Sequence, residues 1–275
     1  MSATPLQEIH RTAFVTGAST GLGRAFAEML LGEGVKVWGT ARDAARLADL
    51  AARPGFTAVA LELGDGPRAV AAFREAEAAA GGFDLVINNA GYGAFGDFTA
   101  TDFSVWQEQL AVMLVNTARL AQAALAGMRA RNHGALVNVS SLAAEFPLPF
   151  QSAYNITKAG LTALSESLMI EYAGTGVIIL DLRPGDYRTD FEGSMRRPPG
   201  PASAAMNRAW AAFARLMESG PAPAHAAAAL RRALRRRRSG TVRCGRFFQA
   251  VVAPFITRFG SLALKRRIQA RYFDL

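Results

Sequence analysis

Short apolar runs recur along the first 190 positions, and longer stretches between them return an apolar residue every three or four places. Runs of that length read as strands and the periodic stretches as helices. Strands are predicted at 12–16, 35–40, 56–61, 84–88, 135–140 and 177–182. Helices are predicted at 22–32, from Asp43 onward, at 67–80, from about 102 to 129, and at 152–172. Asp43 is placed as a helix cap, and Pro67 falls in a first turn, where a missing amide costs nothing. The alternation predicts an α/β fold with a parallel sheet and crossover helices. Continuous rather than alternating strands imply burial on both faces.

The pattern breaks after Pro184-Gly185. Residues 188–221 hold the run Arg196-Arg197-Pro198-Pro199-Gly200-Pro201, then Met206, Trp210, Phe213 and Met217 at helical spacing. An irregular insertion beside the carboxyl ends of the strands predicts a substrate lid, and its apolar face could equally pack on the body. A helix at 222–238 and a last strand at 241–243 should follow.

With 275 residues, 51% of them hydrophobic, one large domain can bury a full core. The net charge of +9 is unevenly placed. Residues 231–275 hold thirteen Lys or Arg against the single acid Asp274, and the preceding 230 residues are slightly acidic. Lone Cys244 excludes an internal disulfide and suits a reducing compartment such as the cytoplasm. Residues 1–10 lack a signal-peptide layout. His10, His133 and His225 are scattered, so no metal site is expected.

Three motifs carry the chemistry. Thr16-Gly17-Ala18-Ser19-Thr20-Gly21-Leu22-Gly23 leaves a strand and opens a helix, as a dinucleotide loop does. Gly17 permits the turn, Gly21 lets backbone approach a pyrophosphate, and Gly23 allows close helix packing. Amides at the helix start would face the anion. Tyr154 and Lys158, four apart on a helix, share a face. A free phenol titrates near ~10, and a neighbouring ammonium favours its ionised form. Asn88-Asn89-Ala90-Gly91 follows the fourth strand, and Ser141 ends the fifth, thirteen residues before Tyr154.

Taken together, these motifs resemble the short-chain dehydrogenase/reductase family over roughly residues 11 to 190. The resemblance implies a Rossmann-like, doubly wound parallel sheet of seven strands in one domain, 1–275, that reversibly reduces a ketone or aldehyde to an alcohol by hydride transfer. Tyr154 would exchange the proton with the substrate oxygen, and Ser141 would hydrogen-bond that oxygen. Lys158 would hold the nicotinamide ribose and lower the Tyr154 pKa. Asn116 would support a water between Lys158 and solvent. Ser19, Thr20 and Leu22 would join the glycines around the pyrophosphate, with Asn89, Ala90 and Gly91 beside the cofactor. Glu62 and Leu63 would meet adenine. In Pro184-Gly185-Asp186-Tyr187-Arg188-Thr189, the Tyr187 backbone and Thr189 would meet the carboxamide. Arg42, two residues beyond the second strand, suits a 2′-phosphate, so NADP(H) is favoured over NAD(H). The alternatives are NAD-linked alcohol oxidation and a non-catalytic cofactor-binding sensor. Family resemblance also implies a homodimer or homotetramer acting on a small carbonyl or alcohol.

The basic segment 231–275 contains an apolar stretch, 247–264, broken by Gln249, Pro254 and Arg258. A bilayer span is disfavoured by Arg258, which would cost ~2.5–3.5 kcal/mol near the middle. Two readings remain: a folded segment whose Phe247, Phe248, Val251, Val252, Phe255 and Ile256 cover the substrate cleft or an oligomer contact, and an interfacial segment at an anionic membrane. Nucleic acid is disfavoured, because no base-reading motif accompanies the charge. Apolar lid and tail residues point to a hydrophobic substrate.

Overall fold

Strand β1 (Thr12–Val15) sits near the middle of the sheet, with β2 (Lys36–Ala41) on one side and β4 (Leu85–Asn88) on the other. In this computed structural model, which describes residues 4–197 and 202–275 and gives residues 257 and 258 without side chains, the strands pair in the order β3-β2-β1-β4-β5-β6-β7. All six pairings are parallel. The remaining strands are β3 (Phe56–Ala60), β5 (Gly134–Val139), β6 (Val177–Pro184) and β7 (Gly240–Cys244). Strand order reverses between β1 and β4, and a crevice opens beyond the carboxyl ends of such a pair.

Helices cover both faces. Ala13 and Val15 point into one layer, where α1 (Gly21–Gly32) contributes Phe26 and Leu30 and α8 (Pro223–Arg236) contributes Leu230 and Leu234. Phe14, between them, points into the other layer. There it meets Phe73 of α3 (Gly66–Ala80), and α5 (Asn116–Arg131) and α6 (Ser152–Glu171) complete the packing with Leu120 and Leu168. Both-face burial holds for β4 and β5 but not at the edges. Of β3 only Phe56 is buried, and of β7 only Cys244, because an edge strand has a neighbour on one side alone.

Several expectations need correction. Asp43 does accept from the Ala45 amide at 3.0 Å, but it caps a 3-10 turn, Ala44–Leu47, and α2 (Ala48–Ala51) is a single turn. The long helix is present as Phe103–Arg131 but is not regular throughout: α4 (Phe103–Leu110) passes through a π-helical turn, Ala111–Val115, into α5. Such a turn inserts an extra residue and frees backbone groups from the regular ladder. Length and composition would let Phe103–Arg131 cross a bilayer, yet Leu120, Ala124 and Met128 pack on the sheet as core.

The basic segment is also less separate than its charge implied. α8 lies against α1, with Arg231 and Arg235 on Glu33 at 3.3 and 2.9 Å, and β7 extends the sheet in register with β6. Beyond β7, a π-helical turn (Phe248–Val252) leads into α9 (Ala253–Phe259) and α10 (Leu262–Tyr272). In the 188–221 insertion, residues 198–201 of the proline-rich run lie outside the described residues. α7 (Ala204–Glu218) turns Phe213 and Met217 inward, where they pack with Phe95, Met195 and Phe273.

Candidate active site

The crevice beyond β1 and β4 opens into a cleft of about 810 Å³. Its lining includes Gly17, Ser19, Thr20, Gly21, Leu22, Arg42, Glu62, Leu63, Asn89, Ala90 and Gly91 at one end. Ser141, Tyr154, Lys158, Pro184, Gly185, Tyr187 and Thr189 also face it. Two expected residues do not line it. Gly23 stands behind the loop, where a Cβ would come within 2.1 Å of the Gly17 carbonyl oxygen. Asn116 is buried and donates from Nδ2 to the Leu63 carbonyl at 2.7 Å. Its side-chain amide therefore ties the start of α5 to the loop after β3.

The glycine loop is braced from β4. Thr16 Oγ1 accepts from the Asn89 and Ala90 amides at 2.9 and 3.0 Å, while Asn89 Nδ2 donates to the Thr16 carbonyl at 3.0 Å. Gly17 has φ +68°, and a Cβ there would meet Ala90 Cα at 2.9 Å. Thr20, the N-cap of α1, makes no side-chain cap. The first-turn amides of α1 are thus left to the cleft, in the arrangement that receives a phosphate. A nicotinamide dinucleotide fits this cradle: bare backbone, an open helix end, and Arg42 nearby. Arg46, which sequence reasoning passed over, lines the same end; its spacing of four from Arg42 was the available signal.

At the other end, α6 carries Tyr154 and Lys158. The Lys158 ammonium donates to the Val139 carbonyl at 2.8 Å and lies 5.5 Å from the Tyr154 ring centroid. Burial pushes the Tyr154 phenol up to about 12; a hydrogen bond with Ser141 opposes the rise, and the charge of Asp186 adds to it. Both groups are buried, burial penalises the charged form of each, and Lys158 is not among the causes that set the phenol. Lys158 itself is brought down to about 8 by burial, with Asp181 acting against that. Asp181 is wholly buried, bonded by Ser140 and by Arg183 Nε at 2.7 Å. Arg183 also reaches Glu145 and Glu166 at 2.5 and 2.8 Å. This network beneath the site was not anticipated; Asp-x-Arg within a buried strand was its only trace.

Tyr187 was expected to use its backbone, and its side chain points away from the cleft. Its side chain is buried in the core, with its hydroxyl 2.8 Å from His225 Nδ1, so only its backbone remains for the cleft. Thr189 packs across from Gly21, where a Cβ would touch it at 3.5 Å. The segment after β6 is anchored by Arg196, which forms a salt bridge to Glu108 and donates its amide to the Gly93 carbonyl at 2.8 Å. Phe146, Leu148, Phe191, Phe213, Met217 and Phe248 give this end apolar walls. Tyr272 and Phe273 complete them, so the chain after β7 contributes to the cleft wall; of the residues expected to cover it only Phe248 lines it, and Phe247, Val251 and Phe255 are exposed.

The family described as short chain dehydrogenase matches residues 11–199. This chain belongs to it. A relative from Haemophilus influenzae, "Probable NADP-dependent dehydrogenase", is 33% identical over 63% of this chain and 70% of its own length. A short-chain dehydrogenase from Streptomyces avermitilis aligns in three dimensions with a TM-score of 0.82 and 30% identity, over 94% of this chain and 96% of its own. A short chain dehydrogenase/reductase from Burkholderia phymatum in complex with NAD aligns at 0.78 with 25% identity, over 96% and 95%. The short-chain dehydrogenase described here is accordingly an oxidoreductase of an NAD(P)-binding family, and its seven-stranded Rossmann-like sheet is theirs.

Proposed function

We propose that this short-chain dehydrogenase reduces the carbonyl of an apolar ketone or aldehyde to an alcohol, with NADPH preferred over NADH. The observation that carries the reading is the meeting of Tyr154, Ser141 and Lys158 in the cleft whose far end is the open start of α1. Gly17, Ser19, Thr20, Gly21 and Leu22 would hold the pyrophosphate, and Glu62, Leu63, Asn89, Ala90 and Gly91 the adenosine side. Pro184, Gly185, the Tyr187 backbone and Thr189 would hold the nicotinamide. Bound there, the cofactor supplies the hydride.

The remaining chemistry belongs to side chains. Tyr154 keeps its proton at neutral pH, so it serves as the acid that protonates the substrate oxygen. Ser141 hydrogen-bonds the same oxygen and holds it against the phenol. Lys158 places a positive charge beside the reacting pair, stabilising the negative charge that gathers on oxygen. Asn116 acts by fixing the Leu63 loop and the start of α5 rather than by touching substrate. Phe146, Leu148 and Phe191 exclude water.

Arg42 and Arg46 favour the 2′-phosphate, since two guanidiniums at one rim attract a phosphate more than a hydroxyl. Exposed Val115 and Ile156, on the helices outside the sheet, support a homo-oligomer; light scattering giving a monomer throughout the micromolar range would count against it. Lone, buried Cys244 suits the cytoplasm. A panel of ketones and aldehydes followed by NADPH absorbance tests the main reading. Turnover with NADPH is the expected result, and binding of cofactor without turnover of any carbonyl would favour the sensor alternative.

A further inference from the structure

The substrate end of the cleft has apolar walls but one polar corner. Asp186, directly after Pro184-Gly185, lines the cleft and lies near enough to Tyr154 for its charge to raise that phenol. Two residues from the chain beyond β7 hold it. Tyr272 donates its hydroxyl to Asp186 Oδ2 at 2.6 Å, and Gln249 Nε2 donates to the same oxygen at 2.5 Å. Gln249 Nε2 also reaches the Tyr272 hydroxyl at 2.5 Å, closing a triangle. Burial, followed by the nearby Asp186 charge, drives the Tyr272 phenol upward, so it stays a donor.

Both donors are spent on Oδ2. Oδ1 has no hydrogen-bond partner among the described residues, and Gln249 Oε1 is buried with none. Asp186 is only half-buried, so Oδ1 is open to the cleft, where a carboxylate oxygen accepts strongly from a ligand donor. A ligand carboxylate at the same corner would face like charge.

We propose that Asp186, oriented by Tyr272 and Gln249, is the specificity-determining residue of the cleft and accepts a hydrogen bond from a hydroxyl or amine that the substrate carries close to its reacting carbonyl. The inference rests on the carbonyl-reductase reading and narrows it. The preferred substrate is an apolar hydroxyketone or aminoketone, and a keto acid of equal size is disfavoured. Asp186 and Tyr154 then hold two neighbouring oxygens or an oxygen and a nitrogen, which fixes the face presented for reduction.

The test compares acetophenone with its α-hydroxy and α-amino derivatives and with phenylglyoxylate. In the wild-type protein, kcat/KM should be higher for the hydroxy and amino compounds than for acetophenone by about ten- to a hundredfold, as a hydrogen bond to a charged group allows, and lowest for phenylglyoxylate. Asp186→Ala should collapse those ratios toward one, and Asp186→Asn should keep part of the hydroxyl preference while losing the amine preference. Unfolding temperatures check that both variants fold, and Asp186→Asn, equal in size, carries the test if the alanine variant does not. Calorimetric titration of the corresponding alcohols into cofactor-loaded protein gives a readout independent of turnover. A preference in binding that vanishes with Asp186 upholds the anchor even if no carbonyl turns over, which would instead sink the reductase reading. Ratios that are the same in wild type and both variants, in rate and in binding, overturn the proposal.

Discussion

The Lys158 ammonium is bonded at 2.8 Å to the carbonyl of Val139, the last residue of β5, rather than to the Tyr154 oxygen. The ammonium is thereby held in the cleft wall at a fixed place, 5.5 Å from the centre of the Tyr154 ring. For Tyr154 the consequence is that removal of its hydroxyl should end proton transfer and little else. Tyr154→Phe should lower kcat by at least a hundredfold, the usual reach of a positioned acid. Cofactor affinity measured by fluorescence titration should stay within a few-fold. Turnover within tenfold of wild type would refute the assignment.

Lys158 also sets a pH limit. Its folded value is about 8, so its charge is present below that pH and lost as pH rises through it. Tyr154, near 12, remains protonated across the same range. The rate of carbonyl reduction should therefore hold through pH 7 and decline around pH 8. Lys158→Arg, whose charge does not titrate there, should remove the decline even if its absolute rate is lower. A wild-type profile that stays level to pH 10 would show that the Lys158 charge is not needed.

At the far end of the cleft, Arg42→Ala should weaken NADPH binding about tenfold, near 1.4 kcal/mol, and NADH binding hardly at all. The loss is modest because Arg42 is exposed and screened by solvent. Arg42→Ala/Arg46→Ala together should lose more than either alone. Equal losses for both cofactors would make Arg42 an ordinary surface charge.

His10 predicts acid sensitivity. It is buried with neither ring nitrogen bonded, and burial lowers it to about 4 against an ordinary 6.5; Asp84 opposes the shift. The unfolded chain thus takes up this proton between pH 6.5 and 4 while the fold refuses it, and stability drains away as pH falls through that window. His10→Leu should flatten the pH dependence of the urea midpoint there. An unchanged slope would mean that other groups account for acid unfolding.

Phe247, Phe255, Phe259 and Leu262 are each more than 60% exposed, and Arg266, Arg267 and Arg271, which follow them in the chain, are exposed too. The side chain of Arg258, which entered the expectation of an interfacial segment, lies outside the described residues. Adsorption to an anionic bilayer through these rings and bases should be weak and should fall steeply with salt, because screening shortens the electrostatic reach to ~8 Å at physiological strength. Co-sedimentation with phosphatidylserine vesicles at low and high salt checks this. Absence from the pellet at low salt would assign the segment wholly to covering the cleft.

The glycine loop, Ser141 and the Tyr154/Lys158 pair could be read from the chain because each depends on local spacing that a strand end or a helix turn converts directly into geometry. The π-turn before Asn116 could not, since Ala111–Val115 has the composition of an ordinary helix. Nor could the height of the Tyr154 pKa, which depends on how many walls surround it rather than on its nearest charged neighbour. Charge counting misjudged 231–244 for a related reason: Arg231 and Arg235 find their partner in Glu33, 198 and 202 residues earlier. Gln249 and Tyr272 were invisible as site residues because their meeting with Asp186 is purely tertiary.

The brace between Thr16 and Asn89 spans 73 positions, so the loop at the end of β1 acquires its final shape only once β4 has docked beside it. Closing a loop of that length precedes any reward from the contacts it makes, and such pairings form late. Refolding followed through nucleotide fluorescence should therefore lag behind recovery of helix ellipticity. Affinity for the nucleotide becomes a clock for the joining of the two halves of the sheet.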